Sequence, residues 1–239
     1  MQISQAFRVF KRTTVAIILI TALSLPTLAG PLLICHPYEI GNAKSLPWAG
    51  QNWRDVQSNY DLKHLVDDTL SCLTPQTPVI VRMETIRRAM IYAEWAKVDH
   101  KVNYAVRDHT VTRALFEKLK ARADAAERAG KSDALAIFDA GYFIESWRNI
   151  VAKDATIPAV NGYEMIKKAS AMRNADATME FAAALITSHT DKSLQQQHLQ
   201  KAIVGTSEGS LLAINLVRLF PDKGQSLAQL RASVGLAKR

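Results

Sequence analysis

Four groups of side chains in this 239-residue sequence have types and spacings that can do chemistry. Glu145 stands among apolar neighbours in the run Ser132 to Ile150, SDALAIFDAGYFIESWRNI. A lone glutamate held in a dry cleft has a raised pKa and can serve as a general acid. His36 and Glu39 are close in sequence, and His64 stands four residues before Asp68. If the chain crosses back on itself, His36, Glu39 and His64 supply the three protein ligands that a zinc site requires at minimum. Cys35 and Cys72 make either a disulfide or, with Cys35 beside His36, a reactive thiol. Arg82, Arg87 and Arg88 form a basic cluster able to grip an anionic partner.

Each chemical reading competes with a simpler one. Glu145-Ser146 resembles the catalytic Glu-Ser of lytic transglycosylases, which are exported, all-α enzymes acting on cell-wall polymer. The likeness covers those two residues only, and the Gly-Leu-Met-Gln element that follows in that family is missing. Glu145 on a helix rim, paired with Arg148, is the preferred reading. The six histidines, His36, His64, His100, His109, His189 and His198, are expected as polar surface residues. The arginines are expected on a solvated helix face. There is no nucleophile elbow, phosphate-cradling Gly loop, dinucleotide fingerprint or haem-attachment motif, so no cofactor is expected.

The N-terminus sets the expected compartment. Arg8, Lys11 and Arg12 precede the apolar run Val15 to Leu25, and Thr27-Leu28-Ala29 follows Pro26. This is the three-part pattern of a signal peptide over residues 1–29, on the general secretory route, giving a periplasmic or secreted protein. The apolar run is well short of the roughly 20 residues that span a bilayer, so no membrane span is expected after cleavage. Losing three basic and no acidic residues lowers the formal charge from +8 to +5. That modest positive charge, on an exported protein, suggests anionic surfaces such as lipid headgroups or acidic polymers, and export argues against nucleic acid as a partner. In an oxidising compartment Cys35 and Cys72 are expected to pair. Their bridge would close a loop worth about 3.8 kcal/mol in the chain-entropy model.

The elements that must position these residues read as all-α. Residues 30–60, rich in Pro and Gly yet carrying Ile34, Tyr38, Ile40, Leu46, Trp48 and Trp53, are expected as an extended arm lying on the body and tied by the disulfide. Residues 61–239 are expected as one domain of about seven or eight helices in an irregular array. Asp61, Thr77, Asp108, Ser132, Asn161, Asp191 or Ser193, and Ser207 mark expected helix starts. One long helix is expected from Gly162 to about Ser188, and Asp124 is expected to pair with Arg128. Ser132–Ile150 is expected as the central helix, with Gly141 marking close approach of a neighbour.

Small-residue waists such as Arg88-Ala89-Met90-Ile91-Tyr92 and Asp139-Ala140-Gly141-Tyr142-Phe143 are similar in style to tetratricopeptide hairpins, although their spacing is irregular. The opening CHPYEIGNAKSLPW, Cys35 to Trp48, resembles a set of exported bacterial proteins of unestablished function. That resemblance implies that arm and helical body form one unit, and it implies no activity. The expected function is a non-catalytic binding or scaffolding module for a protein or envelope component. The rivals are a polymer hydrolase using Glu145 and a metal-binding protein using His36, Glu39 and His64.

Overall fold

A computed structural model describes residues 32–95, 108–151 and 156–235. The expected signal peptide lies outside the described residues. Among the described residues the structure is all-helical, with no strand. A 3-10 turn, Leu62–His64, leads into α1 (Leu65–Cys72). Then follow α2 (Val79–Trp95), α3 (Thr110–Arg128), α4 (Ala134–Ile150), α5 (Gly162–Met172), α6 (Ala177–Thr187), α7 (Lys192–Val204), α8 (Leu211–Leu219) and α9 (Leu227–Ser233). None of them is long and apolar enough to cross a membrane.

Local chemistry sets most of the helix starts. Asp133 accepts from the N–H groups of Leu135 and Ala136, so it and not Ser132 caps α4. Asn161 accepts from the Glu164 N–H at the head of α5. Asp191 and Ser210 do the same for α7 and α8, which moves the expected start at Ser207 to Ser210. Thr77 does not cap α2, because its hydroxyl turns back to the carbonyl of Cys72. Asp124 pairs with Lys120 at 2.7 Å, one turn earlier than Arg128.

The expected single helix after Gly162 is two helices. The chain breaks at Asn174 and Ala175, both in the left-handed region with φ of 54° and 58°. Asn tolerates that conformation better than most residues. Asp176 then recaps the chain by accepting from Thr178 and Met179.

α4 is the central helix. It packs against α2, α3, α5 and α6, and Phe138, Tyr142, Phe143 and Trp147 are all fully buried. Its crossing with α5 is glycine on glycine. A Cβ on Gly141 would lie 2.8 Å from the Gly162 carbonyl oxygen and 2.8 Å from Met165 Cβ, and one on Gly162 would meet the Gly141 carbonyl closer still. Glycine at both positions lets the two backbones touch.

α2 departs most from expectation. Arg82, Glu84 and Arg87 are buried, not solvated: the arm covers Glu84 and Arg87, while Arg82 turns to Asp139 on α4. The arm has no secondary structure to satisfy its own backbone, so α2 side chains satisfy it. Glu84 accepts from the Tyr38 N–H at 2.9 Å and binds Arg87 through both carboxylate oxygens, at 2.7 and 2.8 Å. Arg87 donates on to the carbonyls of Ile34 and Trp53. Arg88 bridges Glu84 and the Leu46 carbonyl. At the far side, the Asn215 amide of α8 both accepts from and donates to the Glu39 backbone, each at 2.8 Å.

The expected disulfide is absent: Cys35 and Cys72 are both free. Cys35 sits under the influence of Arg87 and Arg54, while Cys72 on α1 neighbours Tyr60. Hydrogen bonds from α2 and α8 hold the arm in place of a covalent staple.

Two outcomes follow from this architecture. Gly141→Leu is expected to lower stability by about 1–3 kcal/mol or more through overpacking, read as a clear fall in melting temperature. An unchanged melting temperature would remove the close crossing from the account. Burial alone would raise Glu84, but Arg87, Arg88 and the Tyr38 N–H hold its carboxyl below the ordinary value of 4.5. A carboxylate with a lowered folded pKa contributes stability that is complete above its unfolded value and drains away as pH falls through the folded one. Glu84→Gln should therefore be less stable than wild type near neutrality, and the gap should narrow on acidification. A gap constant with pH in chemical denaturation would contradict the assignment.

Candidate functional site

The residues singled out by sequence go to separate places. Arg82 donates to the Thr77 and Thr74 carbonyls and to Asp139 Oδ2, the last at 2.5 Å. Both partners of that ion pair are about 1% exposed. Burial pushes the Asp139 carboxyl up to about 6, against the attraction of Arg82. Arg87 and Arg88 are tied to Glu84 and the arm. The cluster grips the protein's own carboxylates and carbonyls.

His36, Glu39 and His64 are not brought together, and no group of three metal-ligating side chains occurs among the described residues. His36 is partly buried beside Arg218 and Arg87; burial first, then the two cations, lower its pKa. Glu39 folds back on the Gly41 N–H, and His64 lies exposed at the head of α1. Cys35 is partly exposed, with burial raising its thiol pKa above 9.0 against the pull of Arg87 and Arg54. Cys72 is buried.

Glu145 reaches a recess. The end of α4, residues 156–161, the start of α5, the end of α6 and the start of α7 enclose an open cleft of about 750 Å³. Its apolar surface comes from Ala159, Val160, Ile186 and Leu194, and Arg148, Tyr163, Thr187, His189 and Thr190 bring polar groups. Glu145 Oε1 accepts from Arg148 Nη1 at 2.6 Å and from the Gly162 N–H at 2.9 Å. Arg148 Nη2 donates to the carbonyls of Pro158 and Val160. The pair thus ties α4 to the approach and head of α5, and fixes one wall of the cleft.

Behind Tyr163 runs a chain of hydrogen bonds that joins α5, α6 and α7. The Tyr163 hydroxyl meets His198 Nε2 at 2.7 Å. His198 Nδ1 meets Glu180 Oε2 at 2.6 Å, and Ser170 donates to Glu180 Oε1 at 2.7 Å. Lys201 Nζ stands 3.7 Å from the same carboxylate. Burial would raise Glu180, but the bonds from His198 and Ser170 and the nearby cations hold it below its ordinary value. Burial raises Tyr163, with Lys167 opposing and Glu164, Glu180 and Asp191 adding to the rise.

Sequence reasoning missed this set, because its members lie on three helices and only the fold joins them. The available signal was Glu180, one carboxylate within the otherwise apolar run Met179 to Leu185. A charge on a buried helix face implies a partner.

Family models, curated proteins and solved structures give no match to this chain.

A thiol count on denatured, unreduced protein should find both cysteines free. In the native protein a thiol reagent should modify partly exposed Cys35 before buried Cys72. An intact mass lacking the two thiol hydrogens would reinstate the bridge.

Proposed function

We propose that this chain is an exported, non-catalytic binding or scaffolding module for a protein or envelope component, and that the cleft between α4, α5, α6 and α7 is its recognition site. The observation that carries this reading is the state of the cleft walls. Their charged side chains are already spent on internal bonds, which leaves a preformed apolar floor with a hydroxyl- and imidazole-bearing rim. That composition, mostly apolar with a few placed polar groups, is what binding sites present. Export is supported by the leader pattern of residues 1–29.

The rival, polymer hydrolysis with Glu145 as general acid, has the position of Glu145 at the cleft in its favour. Against it stands the carboxylate's task of anchoring the Gly162 N–H and Arg148. Among the described residues no second carboxylate lines the cleft as the partner that glycoside hydrolysis commonly uses.

The test is photo-cross-linking in the native envelope, with the reactive group placed at Leu194 in the cleft or at exposed Lys118 on α3. A specific adduct is expected from Leu194 and not from Lys118, and Ala159→Trp, which fills the cleft, should abolish it. Glu145→Gln should leave the adduct in place. The reading fails if Leu194 traps nothing or if both positions trap the same molecules.

A further inference from the structure

The hydrogen-bond chain behind the cleft has a fixed polarity at one end and a free valence at the other. Glu180, as a carboxylate, can only accept. Its Oε1 takes the Ser170 hydroxyl and its Oε2 faces His198 Nδ1, so Nδ1 must carry the proton. The tautomer of His198 is thereby set, and Nε2 is the ring nitrogen left to gain or lose a proton. Nε2 faces the hydroxyl of Tyr163, the member of the chain that lines the cleft.

Two hydrogen-bond arrangements follow from that single proton. With His198 neutral, Nε2 is a lone pair and the Tyr163 O–H is consumed in donating to it. The phenol then offers the cleft only an acceptor oxygen. With His198 protonated, Nε2–H donates to the Tyr163 oxygen and the phenol's own O–H is released. Among the described residues the hydroxyl has no other protein hydrogen-bond partner, so the released donor is available to whatever occupies the cleft.

We infer that Tyr163 is the cleft's recognition group for a ligand carrying a hydrogen-bond acceptor, a carboxylate in particular, and that protonation of His198 switches its hydroxyl from acceptor to donor. This rests on the cleft being a binding site. Arg148 and His189 share the cleft with Tyr163, and Lys167 Nζ lies 4.9 Å above the Tyr163 ring. Glu145 and Glu164 balance Arg148 and Lys167 charge for charge, so the ligand class rests on the donor state of the hydroxyl and not on a surplus of positive charge.

The groups acting on His198 come from α5, α6 and α7. Glu180 on α6 stabilises the imidazolium, Lys201 on its own helix opposes it through Glu180, and the Tyr163 hydroxyl on α5 accepts the hydrogen bond of its Nε2–H. Asp191, at the head of α7, acts on the phenol from the side.

The relay itself is read by NMR on the whole protein, with labelled histidine and tyrosine. His198 should show a proton on Nδ1 throughout and gain one on Nε2 as pH falls, and the ring carbon bearing the Tyr163 hydroxyl should shift with the same midpoint. A proton on Nε2 of neutral His198, or a Tyr163 carbon that ignores the His198 titration, overturns the switch.

Ligand class is read by titrating benzoate below and above the His198 midpoint that the NMR titration gives. Binding should be about tenfold tighter at the lower pH, the effect of one charge-assisted hydrogen bond at the low end of its range. Tyr163→Phe should remove that gain, while His189→Asn should keep most of it. No benzoate binding at either pH, or an undiminished gain in Tyr163→Phe, overturns the carboxylate assignment. These readouts separate the inference from the function proposed above. Failure of the Leu194 cross-link with an intact relay and pH-dependent benzoate binding would reject a macromolecular partner and keep the small acidic ligand.

Discussion

Glu84 is a fully buried carboxylate, and a charge so placed is tolerated only when every lone pair is answered. Here the answers come from Arg87, Arg88 and the Tyr38 backbone. Two guanidiniums against one carboxylate leave an excess of positive charge, which the carbonyls of Ile34, Trp53 and Leu46 help to offset. Those carbonyls belong to an arm with no regular structure. The arm therefore cannot leave without stripping the cluster of its backbone partners, the Tyr38 N–H and those three carbonyls. A network of this kind adds little net stability over a well-packed apolar equivalent. What it supplies is position: it specifies where thirty residues of irregular chain must lie. The arm in turn brings Tyr38 to the buried hydroxyl of Tyr142 on α4, 2.8 Å away.

The same central helix hands that placement on to the cleft. α4 meets the arm and α2 on one flank and α5 on another. At the α5 crossing, Gly141 and Gly162 allow backbone contact. Only at that distance does the Gly162 N–H reach Glu145, and only then does Arg148 span to Pro158 and Val160. The cleft wall is a consequence of the helix crossing. Glu145 is a brace at this site, and the chemistry its sequence context suggests is not needed to explain where it stands.

How much of this was legible in the sequence depended on range. The all-α class, the arm, the central helix and some of the caps are written in local pattern, and Asp61, Asn161 and Asp191 cap as short polar residues do before apolar runs. Gly141 was legible too, since a mid-helix glycine needs a close neighbour to justify it. The fate of α2 was not. Its alternating arginines and glutamates read as a solvated face, and only the return of a distant arm converts that face into a core. The break between α5 and α6 contains neither Gly nor Pro and rests on a left-handed Asn174-Ala175 pair that composition does not announce. The cysteine pairing was inferred from compartment, which says what redox chemistry allows but not what geometry brings together.

The interior polar groups divide by what lies beyond them. Arg82 and Asp139 are both sealed, and Asp139 Oδ1, Trp147 Nε1 and Ser188 Oγ are buried without a partner. Such groups bear on stability and have no route to a ligand. Glu84 is sealed as well, and fully satisfied. The Glu180 chain differs in one respect: it is satisfied at its buried end by Ser170 and His198, and it ends on a residue that lines an open recess. A fixed carboxylate forces the tautomer of an imidazole, and the imidazole forces the orientation of a phenol. The electrostatics of the interior are therefore expressed at the surface through a single hydroxyl. In a cleft whose charged walls are engaged in holding the fold, that hydroxyl is the polar group whose hydrogen-bond character the protein can change without moving a helix.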